Sequence, residues 1–196
     1  MLVKDVMTTP ATTVGPDTSI KEALALLDEQ AITALPVVTG HARIVGVVSE
    51  ADLIRDAIQP DFRQHLAFAP PETRTLPPHT VGEVMNAHPV TVSPDTDLVE
   101  ATDLMTTTTV KSLPVVDDDQ RVVGVVSRRD VVHVLARADH VLAAEADDVF
   151  RRLGLDWLVD VTDGIAAVTG PMTDRETTMA TAVLGAVPGI TGVTIA

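Results

Sequence analysis

Two short stretches hold the residues best suited to chemistry: GVVSEAD at residues 46–52 and GVVSRRD at residues 124–130. In each, a serine hydroxyl and a carboxylate stand three residues apart, directly after an apolar run. Two kinds of chemistry use that spacing. A serine at a helix N-cap, with an acid at the third helical position, closes a capping box worth about 1 kcal/mol. The same groups can also hold a ribose and a phosphate, because a helix N-terminus presents N–H groups to an anion. The first copy suits the cap, with Glu50 at the positive end of the helix dipole. The second suits it poorly. Arg128 and Arg129 place two cations in the first turn, where each is disfavoured by up to about 1 kcal/mol. An anion would meet them, and Lys111, opposite Thr33 of the first copy, adds a third positive charge. The competing reading pairs the arginines with Asp117–Asp119 or with the acidic C-terminal segment.

The elements that position these residues occur twice. A shift of 78 positions lays residues 3–54 over 81–132 without a gap, so the chain carries two copies of one unit of about 55 residues. In the first copy, Ile20, Ala23, Leu24 and Leu27 have helical spacing behind a cap at Asp17 or Thr18. "LPVV", a polar turn and "RIVGVV" read as a hairpin of two short buried strands. "SEADLIRDAI" begins a second helix. The order is strand, helix, strand, strand, helix. One such unit cannot bury its apolar face alone, so the copies should pack against each other. The expected class is α+β: two βαββα repeats as a pseudo-twofold pair, with a small αββαβ domain after them.

The boundaries expected are 1–58 for the first repeat, 59–78 for a linker, 79–137 for the second repeat and 138–196 for the tail. The linker carries Pro60, Pro70, Pro71, Pro77 and Pro78 and reads as extended, with a short helical turn around Phe62–Leu66. In the tail, Val141, Leu142, Ala146, Val149 and Leu153 mark one face of a helix. Asp163-Gly164 signals a hairpin. Thr173 and Glu176 form a capping box ahead of a stripe of Met179, Ala180, Val183, Leu184 and Val187.

Bulk composition narrows the function. Apolar residues make up 45% of the chain but aromatics only 2%, so the core must be built from aliphatic side chains. The formal charge of −14 repels nucleic acid and anionic lipid, which argues against a nucleic-acid partner. The absence of cysteine removes thiol catalysis, disulfides and Cys-ligated zinc. "MLVKDVMTTP" lacks the apolar core of a signal peptide, and no apolar run approaches a membrane span, so a cytoplasmic location is expected.

The paired pattern MTTPATTVGPDT…LPVV…GVVSEAD and MNAHPVTVSPDT…LPVV…GVVSRRD resembles tandem cystathionine-β-synthase (CBS) domains, also called a Bateman module. The likeness covers most of residues 1–136. The tail, with VDVTDGIAAVTGPM and AVPGITGV, resembles a BON domain over a shorter stretch. The CBS resemblance implies a non-catalytic regulatory protein that needs no cofactor. It would bind AMP, ADP, ATP or S-adenosylmethionine in clefts between the repeats and pass occupancy to a protein partner. It implies that Ser49 and Asp52 belong to one cleft, walled by Thr13, Val14, Ala34 and Pro36. Ser127, Arg128, Arg129 and Asp130 belong to the other, with Thr91, Val92, Lys111, Ser112 and Pro114. In each, the Asp would hold the ribose hydroxyls and the Ser would meet phosphate or ribose. A homodimer formed through the helices is implied too, and the BON likeness brings membrane-surface contact, which the negative charge disfavours.

The second cleft is therefore expected to take phosphorylated ligands, and the first an adenosyl compound of lower charge or none. The alternative function is a structural adaptor with vestigial clefts, acting through dimerisation and the tail. Other constellations read as structural. His41, His65, His79, His88, His133 and His140 show no metal-ligand spacing. Met7 and Met85 read as core gap-fillers, Asp117–Asp119 as a solvated turn, and Trp157 as core. The threonines at 106–109 mark a helix end.

Overall fold

The computed structural model describes residues 1–55, 78–108, 110–171 and 173–195; the helical turn expected around residues 62–66 lies outside them. The fold is mixed α+β, and the chain divides into two compact units that cut across the repeat. One comprises Thr9–Val92 with Lys111–Val125, and will be called the hairpin unit. The other, the tail unit, comprises Met1–Thr8, Ser93–Val110 and Val126–Ala196.

In the hairpin unit, α1 (Ile20–Gln30) is followed by β1 (Ala34–Thr39), β2 (Arg43–Ser49) and α2 (Glu50–Ile54). The N-cap of α1 is Ser19, whose hydroxyl accepts the Glu22 N–H at 3.2 Å. The expected caps stand one and two residues too early. The Thr18 hydroxyl instead accepts the Gly15 N–H at 3.1 Å and closes the preceding turn. Starting at Ile20 points Ala23 and Leu27 into a core with Leu35, Val37, Val48 and Leu53. Each such leucine contributes about 1.5–3 kcal/mol by leaving water. β1 and β2 pair antiparallel, with Ala34 opposite Ser49 and Pro36 opposite Val47. β3 (Ser112–Val116) and β4 (Val122–Ser127) form a second two-stranded sheet.

The strand expected to open each repeat is shorter than a strand. It contracts to one parallel bridge, Val14 with Val37 and Val92 with Val115. Pro10 and Pro16 flank the first bridge, and Pro89 and Pro94 the second. Proline lacks the N–H that a longer ladder would need.

Each repeat also lodges its opening residues against the other repeat. In the hairpin unit Thr80 bridges Ser19, and the Val81 and Gly82 N–H groups donate to the Thr18 and Pro16 carbonyls at 2.9 and 2.8 Å. In the tail unit the counterparts 78 residues earlier do the same. Leu2 bridges Asp97, and Val3 and Lys4 donate to Thr96 and Pro94, both at 2.9 Å. The exchange continues onto β2, where Val47 bridges Asn86. A Cβ at Gly46 would lie 2.7 Å from Met85 Sδ and 2.9 Å from the Asn86 oxygen. Glycine opens the first motif because the other repeat's chain crosses it there. Met85 packs partly buried against the hairpin-unit core.

The tail unit holds α3 (Leu98–Thr107), capped by Asp97, and α4 (Arg128–Leu135). The Thr107 and Thr108 hydroxyls bond back to the Asp103 and Leu104 carbonyls where α3 ends. Then follow α5 (Asp139–Arg152), β5 (Leu158–Thr162), β6 (Ile165–Thr169), α6 (Asp174–Leu184) and β7 (Gly192–Ile195). The three strands form one sheet in the order β5-β6-β7, with β6 and β7 parallel. Asp163 and Gly164 both take positive φ, as a two-residue hairpin turn requires. Leu142, Ala146 and Phe150 of α5 pack on Val161, Ala166 and Val168 of the sheet and on Ala180 and Leu184 of α6. Phe150 meets Trp157 edge-on at 5.1 Å. Three side chains expected in this core are exposed: Val141, Leu153 and Met179. The buried face of α5 is rotated so that Phe150 anchors it. Among the described residues no helix is long and apolar enough to cross a membrane.

Candidate ligand-binding site

Both S-x-x-D motifs sit where a strand becomes a helix, β2 into α2 and β4 into α4. Both make the cap. The Ser49 N–H and hydroxyl donate to Asp52 Oδ2 at 3.0 and 2.6 Å, and the Asp52 N–H returns to Ser49 Oγ at 3.4 Å. The Ser127 N–H and hydroxyl donate to Asp130 Oδ2 at 2.7 and 2.6 Å. In each motif one carboxylate oxygen takes both bonds from the serine. The other is lightly engaged. Asp52 Oδ1 lies 3.6 Å from Arg55, and Asp130 Oδ1 accepts the Thr8 hydroxyl at 3.4 Å. A carboxylate can accept about four hydrogen bonds, so the cap leaves capacity for ligand hydroxyls.

All the residues expected around the first motif fall in the hairpin unit, and the fold gathers them. The Val14 N–H donates to the Pro36 carbonyl at 3.1 Å, and Val38 donates back to Val14 at 2.8 Å. Ala34 pairs with Ser49, and the Glu50 N–H donates to the Thr33 carbonyl at 3.1 Å. Thr13 precedes Val14 and is half-buried. These backbone bonds fix apolar Val14, Ala34 and Pro36 beside the Ser49–Asp52 cap.

The residues expected around the second motif divide between the units. Thr91, Val92, Lys111, Ser112 and Pro114 are in the hairpin unit, and Ser127, Arg128, Arg129 and Asp130 in the tail unit. The Val92 N–H donates to the Pro114 carbonyl at 3.1 Å, and Val116 donates to Val92 at 2.9 Å, repeating the pattern at Val14. Ser112, which replaces Ala34, is a buried polar residue at 7% exposure.

The cations behave individually. Arg128 donates to the carbonyl of Met105 in the last turn of α3, where unpaired carbonyls carry the negative end of the dipole. Arg129 is exposed and forms no ion pair among the described residues. Lys111 Nζ lies 3.6 Å from Glu50 Oε2, next to the first motif, in an ion pair open to solvent. Asp119 pairs with Arg121 at 3.1 Å, and Asp117 Oδ1 accepts the Asp119 and Arg121 N–H groups. That carboxylate shapes the β3–β4 turn. Sequence spacing alone missed both the Arg128–Met105 bond and the Lys111–Glu50 pair, which depend on tertiary packing.

The family model described as "CBS domain" matches residues 3–58 and 81–137. A CBS domain-containing protein of Dictyostelium discoideum is 31% identical over 137 residues, covering 70% of this chain and 92% of its own length. The chloroplastic CBS domain-containing protein CBSX2 of Arabidopsis thaliana is 35% identical over 133 residues; this chain spans 56% of its length. A structure of CBSX2 in complex with AMP superposes with a TM-score of 0.55 at 32% identity, covering 67% of this chain and 93% of that one. The CBS domain pair of protein MJ0100, solved with 5′-methylthioadenosine and S-adenosyl-L-methionine, gives a TM-score of 0.56 at 27% identity. It covers 68% of this chain and 94% of that one.

Proposed function

This chain belongs to the CBS domain family, and from that premise we propose that it is a non-catalytic regulatory protein that binds an adenosyl ligand at its S-x-x-D motifs. Phosphorylated ligands take the Ser127–Asp130 motif in this reading. The observation that carries it is the division of labour within each aspartate. Oδ2 takes the serine bonds, and Oδ1, engaged only at 3.6 Å by Arg55 or 3.4 Å by Thr8, is the oxygen for a ribose hydroxyl. Relatives solved with AMP and with S-adenosyl-L-methionine support the ligand class. Arg129 and the first N–H groups of α4 supply the positive field for a phosphate, whereas Glu50 stands at the corresponding place in the first motif.

A second reading, an adaptor acting through self-assembly, has its own support. Val99 of α3 and Val132 and Leu135 of α4 are 68%, 62% and 57% exposed, apolar surface of the kind that a second copy would cover.

Calorimetric titration of AMP and ATP into the wild type, Asp52→Ala and Asp130→Ala separates them. The expected result is a loss of AMP affinity of about tenfold, or 1.4 kcal/mol, in Asp130→Ala, with Asp52→Ala close to wild type. Equal losses would remove the asymmetry. No heat from AMP, ATP or S-adenosylmethionine would leave the adaptor alone standing.

A further inference from the structure

Three residues, Ala136, Arg137 and Ala138, separate α4 from α5, and they are tied down from several sides. The Arg137 guanidinium is largely buried. It donates to the carbonyl of Pro188, in the turn between α6 and β7, and to the carboxylate of Glu145 on α5. Asp139, the first residue of α5, accepts the N–H groups of Asp163 and Gly164 at 2.9 and 3.0 Å, holding the β5–β6 turn. Gly189 takes φ +107°, and a Cβ there would lie 3.0 Å from the Val134 carbonyl oxygen and 2.9 Å from Leu142 Cδ2. The last turn of α4 and the first of α5 thus meet two turns of the tail sheet at one corner. Beside it an open surface depression is lined by Leu135–Asp139 with Asp163 and Gly164.

α4 runs without a break from the Ser127–Asp130 cap to this corner, a rod about 12 Å long at 1.5 Å per residue. We propose that Arg137 and Asp139 are positioning residues that make the tail respond to the state of the Ser127–Asp130 motif. A shift at the first turn of α4 is carried to the Pro188–Gly189 and Asp163–Gly164 turns and is not absorbed between residues 135 and 139. The regulatory meaning of this coupling rests on the reading of Ser127–Asp130 as the ligand motif. The coupling itself can be tested without a ligand.

Amide hydrogen exchange of the full chain, read by mass spectrometry, provides the test, with β1 as an internal reference. Asp130→Asn disturbs the cap directly. The expected result is severalfold faster exchange at residues 127–131 and also at 162–165 and 187–191, with β1 unchanged. In Arg137→Ala or Asp139→Asn backgrounds the response at 127–131 persists while the tail no longer follows, and Arg137→Lys restores part of it. A merely structural role would shift the baseline of the tail without removing its response to Asp130→Asn. A change confined to 127–131 in the otherwise wild-type chain overturns the proposal, and that arm decides even if the corner variants fail to fold. Adding AMP to the wild type supplies the regulatory arm. Protection at 127–131 with a change at 187–191 supports the relay, and protection at 127–131 alone overturns it. AMP without effect at 127–131 removes the nucleotide reading, while the Asp130→Asn arm still decides the coupling.

Discussion

The Ser49–Asp52 and Ser127–Asp130 motifs share a strand-to-helix turn and a pair of serine-to-aspartate bonds, yet they recruit opposite charges to the helix start. At the first, Glu50 draws Lys111 across from the other repeat. At the second, Arg128 turns to a carbonyl at the end of α3, and Arg129, exposed, forms no ion pair among the described residues. The two arginines together suggest an anion. The fold uses one of them as a cap for a different helix. What differs between the motifs is therefore less the number of charges than their prior commitments. The serine bonds occupy one carboxylate oxygen of each aspartate and leave the other with a single distant partner, Arg55 or Thr8.

Removing the arginines singly separates their roles. Arg128→Ala should destabilise the unliganded protein by about 1 kcal/mol or somewhat more, the usual cost of a lost hydrogen bond to a charged donor at a helix end. Arg129→Ala should stay within about 0.5 kcal/mol of wild type, as surface substitutions generally do. AMP affinity should rank the other way, with Arg129→Ala losing more. Thermal unfolding and calorimetry on the two variants report both orders. Equal stability losses would return both arginines to one shared role.

How far the sequence carries this reading can be judged at individual residues. The repeat was legible because a shift of 78 keeps most apolar positions in phase, and the same shift maps the bridge of Leu2 with Asp97 onto that of Thr80 with Ser19. The β5–β6 turn was legible because Asp163-Gly164 tolerates two successive positive φ angles. The α1 cap was not, since Asp17, Thr18 and Ser19 can all cap, and the phase is set by Ala23 and Leu27 reaching the core. The buried face of α5 keeps the expected Leu142 and Ala146 but leaves out Val141 and Leu153, for a related reason. A stripe through Val141 and Leu153 fits the helical period, but burying Phe150 against Trp157 and the sheet removes more apolar surface from water. The partners of Arg128 and Lys111 are fixed by elements far apart in the chain, which local spacing does not encode.

A smaller effect sharpens the contrast from the side of the first motif. The Lys111–Glu50 pair is exposed at both ends, so a double-mutant cycle with Lys111→Ala and Glu50→Ala should give a coupling of about 0.2–1 kcal/mol that fades in high salt. Coupling that resists salt would mean the pair is shielded and structural. It would then be unavailable to change partner when a ligand arrives.

The smallest expected effect concerns the turns that lodge each repeat on the other. Glu83 accepts the N–H groups of Thr80 at 2.8 Å and His79 at 2.6 Å, while its counterpart Asp5 accepts only that of Leu2 at 2.8 Å. The backbone bonds from Thr80 and then His79 hold the Glu83 carboxyl below the ordinary Glu value. Because the folded value is the lower one, its contribution is present above the unfolded Glu value and is lost as pH falls through the folded one. Glu83→Gln should therefore be slightly less stable than wild type near neutral pH, and the gap should close on acidification below the ordinary Glu range. A thermal-unfolding series against pH measures this. The residues following Glu83 run to Met85 and Asn86, which press on Gly46 and Val47. Acid should thus loosen the support beneath β2, which leads into the Ser49–Asp52 motif. A gap that stays constant with pH would assign the turn to the backbone alone, and the two motifs would then differ only in the partners of their charged residues.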